Sequence, residues 1–198
     1  MSTVRKLNPI TVEDYLAGEL RSPIKHEYLG GVVYAMAGTQ NAHNLTASNA
    51  FVSLGSRLRG GSWRPFNSDT KIRLHLSGQI RFYYPDVSVV CRPNPQTDSF
   101  HDEPAVVVEV LSPKTRRIDE GEKKDAYLSI PSLDAYVLID QQTPAAVVFR
   151  RTESGFIREV YEGLEAAVPL PEIDTILPLA EIYEAVEFVP ERAEDEEA

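Results

Sequence analysis

The feature that most constrains this sequence is an apolar run, Ala105 to Leu111, that contains one acidic residue, Glu109. Valine-rich runs of this length predict a β-strand, and alternate residues of a strand face opposite sides of the sheet. Both faces of this run are apolar, which is typical of a central strand covered on each side. A carboxylate there needs a cation or hydrogen bonds as partners, unless it reaches water past the end of the strand.

A second carboxylate, Asp86, stands at the start of another apolar run. Pro85 cannot donate a hydrogen bond to a sheet, so the strand interior should begin at Asp86 or later, although Pro-Asp is also a common turn pair. If the two runs are neighbouring strands, Asp86 and Glu109 can bring oxygens to one hard cation, the usual arrangement for Mg²⁺. Whether the two carboxylates converge therefore decides the interpretation.

The remaining pattern predicts strands that cluster around two helices and do not alternate regularly with them. Gly30-Gly31 supplies the tight turn of a first hairpin. The predicted fold class is α/β or α+β, with a central mixed β-sheet flanked by helices. Helices are predicted over 11–20, 41–58, 115–130 and 179–186, and strands over 26–29, 32–36, 63–66, 71–76, 81–91, 105–111, 134–140, 145–151 and 156–161.

Length and composition indicate one globular domain. With 198 residues, 42% hydrophobic and 25% charged, the chain can bury one sizeable core, and we expect a single domain over 1–186. The apolar stretches are too short to span a bilayer and the first residues lack the apolar run of a signal peptide. We therefore expect no membrane partner and a cytoplasmic location. Cys91 is the only cysteine, which excludes an intramolecular disulfide and a cysteine zinc cluster.

The net charge of −10 is unevenly distributed along the chain. Residues 187–198 carry six acidic residues and one arginine, the composition of a flexible, solvated tail. The segment from Arg57 to Arg92 contains seven basic residues and only two acidic ones. This excess predicts either a basic surface for nucleic acid or scattered solvated charges. The candidate nucleic-acid contacts are Arg57, Arg64, Lys71, Arg73, Lys114, Arg116 and Arg117.

Three polar residues of the third predicted helix share one face. Asp119, Lys123 and Tyr127 recur at intervals of four, which aligns them along a helix. This face could point at the sheet, or it could be an exposed Asp–Lys pair, as Lys124 could form with Glu120. The register favours Lys123 as the residue that faces the sheet.

Two motifs and the helix after them resemble one known family. Together with the hairpin around Glu27-Tyr28-Leu29, they resemble the Uma2 family, formerly DUF820, of PD-(D/E)XK nuclease-like proteins, from about Thr11 to about Glu181. The resemblance implies a restriction-endonuclease-like fold and a divalent metal, Mg²⁺, with Mn²⁺ as the alternative. The motifs are Pro85-Asp86 and Glu109-Val110-Leu111-Ser112-Pro113, and the helix contributes Thr115-Arg116-Arg117, Asp119, Lys123 and Tyr127.

The sequence departs from the superfamily pattern at one position. The pattern ends in a lysine two residues after the acidic residue, and this position is Leu111 here. The Uma2 pattern implies that Lys123 takes the place of the missing lysine. It also makes Glu27 a candidate site residue, although a polar residue on the exposed side of a hairpin would look the same. His26 and His43 lack a zinc-ligand spacing, and a lone histidine on a helix is more often a surface or packed residue than a ligand.

These expectations imply metal-dependent hydrolysis of DNA phosphodiester bonds, in a protein that the superfamily suggests is a homodimer. One alternative is a nuclease-like fold that only binds nucleic acid or protein. The other is an enzyme that uses Glu27 and Glu109 as an acid/base pair on a sugar, without a metal. In the nuclease interpretation Asp86, Glu109 and the backbone carbonyl of Leu111 hold the cation, Lys123 orients the attacking water, Asp119 and Tyr127 position it, and Glu27 assists.

Overall fold

The computed structural model describes residues 9–36, 38–113 and 115–188. Among these residues, no helix combines the length and hydropathy that crossing a bilayer requires. The helices are α1 (Val12–Glu19), α2 (Asn41–Arg57), α3 (Arg116–Ile118), α4 (Lys124–Leu128) and α5 (Leu179–Ile182), with a π-helical turn at Asp119–Lys123 and a 3₁₀ turn at Pro171–Ile173. The strands are β1 (His26–Leu29), β2 (Val32–Ala35), β3 (Arg64–Asn67), β4 (Lys71–Leu76), β5 (Gln79–Tyr83), β6 (Val87–Val90), β7 (Phe100–His101), β8 (Pro104–Leu111), β9 (Ala135–Asp140), β10 (Ala145–Thr152), β11 (Gly155–Glu162), β12 (Ala167–Leu170) and β13 (Thr175–Pro178).

The strands form two large mixed sheets and a small hairpin. The first sheet has the order β2-β1-β5-β4-β7, the second has the order β11-β10-β9-β8-β6-β3, and β12 pairs with β13. In the second sheet, β8 runs parallel to β9 and antiparallel to β6. Mixed sheets flanked by helices confirm the predicted fold class.

The central strand β8 is buried along its whole length. Its two faces contact different cores, as the alternation of its side chains predicts. Val106, Val108 and Val110 belong to the core that also contains α2 residues. Val107 and Leu111 belong to the core between this sheet, the first sheet and α4. Glu109 shares the face of Val107 and Leu111, so its carboxylate is directed into the protein interior.

The run 81–91, predicted as one strand, is two strands that belong to different sheets. Strand β5 ends at Tyr83 in the first sheet, and β6 begins at Val87 in the second. Pro85 lies in the connection, and a proline can neither donate to a ladder nor continue a central strand. The chain therefore passes from one sheet to the other through residues 84–86, which places Asp86 at the junction.

The helix predicted over 115–130 is interrupted by the π-helical turn between α3 and α4. In an α-helix, residue i+4 lies about 40° beyond one full turn, and a wider π turn reduces this offset. Asp119, Lys123 and Tyr127 are all buried. Their shared helical face therefore points into the protein, as their spacing predicts.

The hairpin of β12 and β13 was not predicted, and the chain around α5 differs from the prediction. Val168, Leu170 and Leu177 of this hairpin fill the core beneath α2. Helix α5 ends at Ile182, earlier than predicted, and Ala185 then adopts a left-handed conformation with φ of 58°. The ring of Phe188 lies 5.3 Å from that of Tyr183 between centroids, so the first residues of the expected tail pack on the domain. Residues 189–198 of that tail lie outside the described residues.

Candidate functional site

Asp86 and Glu109 meet where the chain passes between the two sheets. The Asp86 amide donates a hydrogen bond to Glu109 Oε2 at 3.3 Å, and the Val110 amide donates to Asp86 Oδ2 at 2.7 Å. Continuing the β6–β8 ladder would pair the Val110 amide with the backbone near Pro85. Because the chain turns away there, the Asp86 carboxylate takes this amide instead. Each carboxylate therefore contacts the backbone beside the other one, which brings the two acidic residues into the same region of the structure.

Lys123 lies among three carboxylates in the same interior region. Its Nζ is 2.9 Å from Glu27 Oε1, 3.6 Å from Glu109 Oε1 and 3.6 Å from Asp119 Oδ1. Burial alone would lower the pKa of Lys123, but the negative charges of Glu109, Glu27 and Asp119 raise it above its ordinary value. Lys123 is therefore a buried cation at neutral pH.

The next turn of the helix adds a hydroxyl to this cluster. Tyr127 is fully buried and donates a hydrogen bond to Glu109 Oε1 at 3.4 Å. Burial raises the pKa of Tyr127 well above its ordinary value, so it acts as a neutral donor. Lys124, the alternative lysine, lies outside the cluster, with its Nζ over the ring of Phe149. The register that favoured Lys123 is thus the one that the structure has.

The site holds more negative charge than one lysine balances. The site contains four carboxylates, those of Glu27, Asp86, Glu109 and Asp119. Burial raises the pKa of Asp86 and, more strongly, that of Glu109. Among the described residues no group of three or more His, Cys, Asp or Glu side chains is arranged to hold a metal ion. Two carboxylates suit Mg²⁺, which is commonly bound through one or two carboxylates and keeps several waters, better than Zn²⁺, which takes three or four protein ligands.

The backbone carbonyl of Leu111 does not face this site, contrary to its predicted role. It accepts a hydrogen bond from the Gln141 amide at 3.2 Å, on the side of β9. The amide and carbonyl of one strand residue point to the same side, and the Val110 amide points at Asp86. The carbonyl on the acidic side is therefore that of Val110. The side chain of Leu111 is buried in the apolar core, where the superfamily lysine would otherwise stand.

The structure places His43 beside the candidate site, although the sequence pattern did not predict it as a site residue. Helix α2 places His43 Nε2 3.4 Å from Asp86 Oδ2, and the side chain is buried. His43 lies seven and eleven residues before Ala50 and Leu54, on the helical face that packs against the second sheet. That spacing was the signal available in the sequence, because a histidine on a buried face needs a polar partner.

The candidate nucleic-acid residues are mostly engaged within the protein. Lys71 is buried and donates to the Tyr84 hydroxyl at 3.2 Å, and Arg64 donates to the Trp63 carbonyl at 3.0 Å. Arg117 is exposed, and Lys114 lies outside the described residues. Of the seven candidates, three are therefore neutralised by carboxylates, Lys71 is buried, and Arg64 and Arg117 lie exposed at the surface. The ion pairs are Arg57 with Glu181, Arg73 with Asp102 and Arg116 with Asp140, each with an N···O distance of 2.6 Å.

The architecture matches that of a solved structure. The crystal structure of "a putative nuclease belonging to DUF820" from Anabaena variabilis aligns with a TM-score of 0.69 and 20% sequence identity, over 89% of this chain and 98% of that chain. This likeness shows that the chain has a nuclease-like fold.

The sequence comparisons narrow this class to one family. The model of the Uma2 family, described as "Putative restriction endonuclease", matches residues 12–180. The chain belongs to the Uma2 family. Two similar proteins come from Synechocystis sp. (strain ATCC 27184 / PCC 6803 / Kazusa). The uncharacterized protein slr1290 is 35% identical over 76% of this chain and 77% of its own length. The uncharacterized protein sll1609 is 30% identical over 71% of this chain and 80% of its own length.

Proposed function

We propose that this protein is a metal-dependent endonuclease that hydrolyses phosphodiester bonds of DNA, with Mg²⁺, or alternatively Mn²⁺, as its cofactor. Membership of a family described as "Putative restriction endonuclease" supports a nucleic acid as the substrate. The single observation that carries the proposal is the meeting of Asp86 and Glu109 beside a buried lysine, Lys123. Burying such a cluster of opposite charges costs folding free energy, and clusters of this kind are common at functional sites.

Each side chain of the cluster has a role that its contacts support. Asp86 and Glu109, with the Val110 carbonyl, would hold the cation. The chemistry that a divalent cation supplies is to offset negative charge on a phosphate and to lower the pKa of a water. Lys123 orients the attacking water and offsets charge that develops on the phosphate.

The remaining residues of the cluster hold Lys123 and Glu109 in place. Asp119, one turn before Lys123, and Glu27, on β1, fix the position of the ammonium group. The exposed fraction of the side chain is 16% for Glu27 and for Asp86, but only 5% for Glu109. We therefore expect the DNA backbone to approach from the side of Glu27 and Asp86.

The metal-free acid/base alternative fits the geometry less well. A glycosidase needs its two carboxyl groups about 5 to 9.5 Å apart, with the sugar between them. Here the Lys123 ammonium contacts both Glu27 and Glu109, at 2.9 Å and 3.6 Å. A sugar between the two carboxyl groups would therefore have to displace this buried cation.

The proposal is tested by incubating the purified protein with supercoiled plasmid DNA in Mg²⁺, in Mn²⁺ or in EDTA. We expect nicking only with a divalent cation, and none with the variant Glu109→Gln. Lys123→Met should lower the rate by at least about 100-fold, because a preorganised charge at the reacting phosphate is lost. Lys124→Met removes a neighbouring lysine outside the cluster and is the matched control, expected to remain within about twofold of the wild type.

Two results would contradict the proposal. Cleavage that persists in EDTA, or equally in Glu109→Gln, would show that the acidic pair holds no essential cation. DNA binding without cleavage in either metal would instead favour the nuclease-like fold that only binds its partner.

A further inference from the structure

His43 is a buried histidine with one polar contact. The side chain is 6% exposed, and its Nε2 lies 3.4 Å from Asp86 Oδ2. Its Nδ1 is buried and has no hydrogen-bond partner among the described residues. The polar group of this side chain is therefore directed at one carboxylate, and that carboxylate belongs to the candidate metal site.

The other buried polar residues of α2 have ordinary structural explanations. Thr46 donates to the Ala42 carbonyl of its own helix at 2.9 Å, and Ser53 donates to Glu181 at 2.6 Å. Burying an imidazole with one unpartnered nitrogen costs more than burying an aliphatic side chain in the same place. The contact with Asp86 is the feature of the structure that offsets this cost.

We propose that His43 is a positioning residue that fixes the Asp86 carboxylate for metal binding; this inference rests on the proposed function. Asp86 Oδ2 is contacted by two groups, the Val110 amide at 2.7 Å and His43 Nε2 at 3.4 Å. Asp86 Oδ1 accepts no hydrogen bond from the described residues. The two contacts therefore hold one oxygen and leave the other for a cation, so Asp86 acts as a ligand through a single oxygen.

The physical basis is the cost of ordering a ligand. A carboxylate that is already oriented loses less rotational freedom when it binds a cation than one that turns freely. Partners that orient metal ligands typically contribute about 10- to 100-fold in metal affinity. The contact between His43 and Asp86 joins α2 to the junction between the sheets, so α2 sets the geometry of a site to which it contributes no ligand.

Calorimetric titration of Mn²⁺ into the full-length protein without DNA tests this role. His43→Leu keeps the approximate bulk of the ring but removes its polar group, and should weaken Mn²⁺ binding by at least about 10-fold. His43→Gln keeps an N–H donor and should remain within about threefold of the wild type. Thr46→Ala, a buried change on the same helix, is the control and should bind like the wild type. Thermal unfolding in EDTA establishes that each variant is folded.

The cleavage assay supplies a second readout. His43→Leu should need about 10-fold more Mn²⁺ for half-maximal rate and should reach the wild-type rate at saturating Mn²⁺, because only the affinity of the site is changed.

Each outcome of the titration separates this inference from the proposed function. Equal Mn²⁺ affinity in the wild type and His43→Leu overturns the positioning role and leaves the nuclease proposal standing. An equal loss in His43→Leu, His43→Gln and Thr46→Ala indicates a packing effect and also overturns it. A wild-type protein that binds no Mn²⁺ overturns the metal site itself, and the positioning role with it.

Discussion

At the scale of single residues, Glu109 is a buried carboxylate whose environment only partly compensates its charge. Burial raises its pKa well above the ordinary value, Lys123 lowers it, and the carboxylates of Asp119, Asp86 and Glu27 raise it again. A carboxyl group with a higher pKa in the folded protein binds its proton more tightly there than in the unfolded chain. Its ionisation therefore destabilises the metal-free fold as the pH rises.

Replacing Glu109 should accordingly stabilise the protein in the absence of metal. At about pH 8 we expect Glu109→Gln to raise the free energy of unfolding by on the order of 1 kcal/mol, because a pKa that is raised in the folded state costs stability at every pH above the unfolded value. As the pH falls through the raised pKa toward the unfolded value of about 4.3, the wild-type carboxyl group becomes protonated, and the difference should shrink. Urea unfolding in EDTA across this range measures it.

An exposed glutamate provides the comparison for that series. Glu165 is exposed, so Glu165→Gln should change the free energy of unfolding by no more than about 0.5 kcal/mol at any pH. If Glu109→Gln were less stable than the wild type at pH 8, the carboxylate would be a net stabilising partner of Lys123 instead. An effect that did not vary with pH would show that folding does not shift the pKa of Glu109.

The residues that could be predicted from the sequence are those whose position in the sequence pattern is itself unusual. Glu109 was visible because a charge interrupts an apolar run, and Lys123 because its spacing from Asp119 and Tyr127 selects one helical face. The partner of His43 was not visible, since helical spacing predicts burial without specifying what lies opposite. The carbonyl on the acidic side is that of Val110 and not the predicted one of Leu111. This could be seen only from the ladder register, which depends on the neighbouring strands.

At the scale of elements, the site depends on the π-helical turn that joins α3 to α4. This turn carries Asp119 at its start and Lys123 at its end, and both side chains are buried. Gly121 lies between them, and a Cβ atom at this position would meet no atom within 4 Å beyond its chain neighbours and the backbone of its own helix. Its backbone does not have the positive φ that favours glycine, so nothing in the local geometry requires glycine here.

Gly121→Ala should therefore stabilise the protein by about 0.5 to 1 kcal/mol, because alanine has fewer conformations to lose on folding. Gly31→Ala is the opposite control, since Gly31 has a φ of 104° and a Cβ atom there would clash with Pro9. We expect that change to destabilise by about 1 to 3 kcal/mol. Urea unfolding of both variants gives the comparison. A Gly121→Ala protein that is less stable would show that the π turn itself needs glycine.

The elements that sequence patterns missed are those whose ends depend on distant contacts. The run 81–91 has the composition of one long strand, and the break at Pro85 becomes decisive only because the flanking halves join different sheets. The β12–β13 hairpin contains Pro169 and Pro171, residues that argue against a strand. It forms because Val168 and Leu177 complete the core beneath α2. Packing, not local propensity, defines both features.

At the scale of the whole molecule, the charge distribution opposes the proposed substrate. The net charge is −10, and residues 189–198 hold five acidic residues and one arginine, a contribution of −4. Three of the seven candidate basic residues that would offset this charge, Arg57, Arg73 and Arg116, are paired with carboxylates of the same chain. DNA must therefore either displace these ion pairs or bind through a small number of phosphate contacts.

Removing residues 189–198 should tighten DNA binding, since a polyanionic segment competes with the phosphate backbone for the same cations. The truncation keeps Phe188, whose ring contacts Tyr183, so the packed end of the domain is retained. Binding is measured by salt titration in Ca²⁺, which is chosen to suppress cleavage. Log affinity should fall with log salt by about 0.9 per phosphate contact, and the paired arginines predict a slope well below that of seven contacts.

A full-length variant with the five acidic tail residues replaced by glutamine or asparagine separates charge from length. If charge is the cause, this variant should bind like the truncated protein, and both should bind more tightly than the wild type as salt is lowered, because screening is then weakest. Equal affinity in all three proteins would show that the tail does not act on the DNA site. A slope as steep as that of seven phosphate contacts would show that the ion pairs of Arg57, Arg73 and Arg116 open on binding.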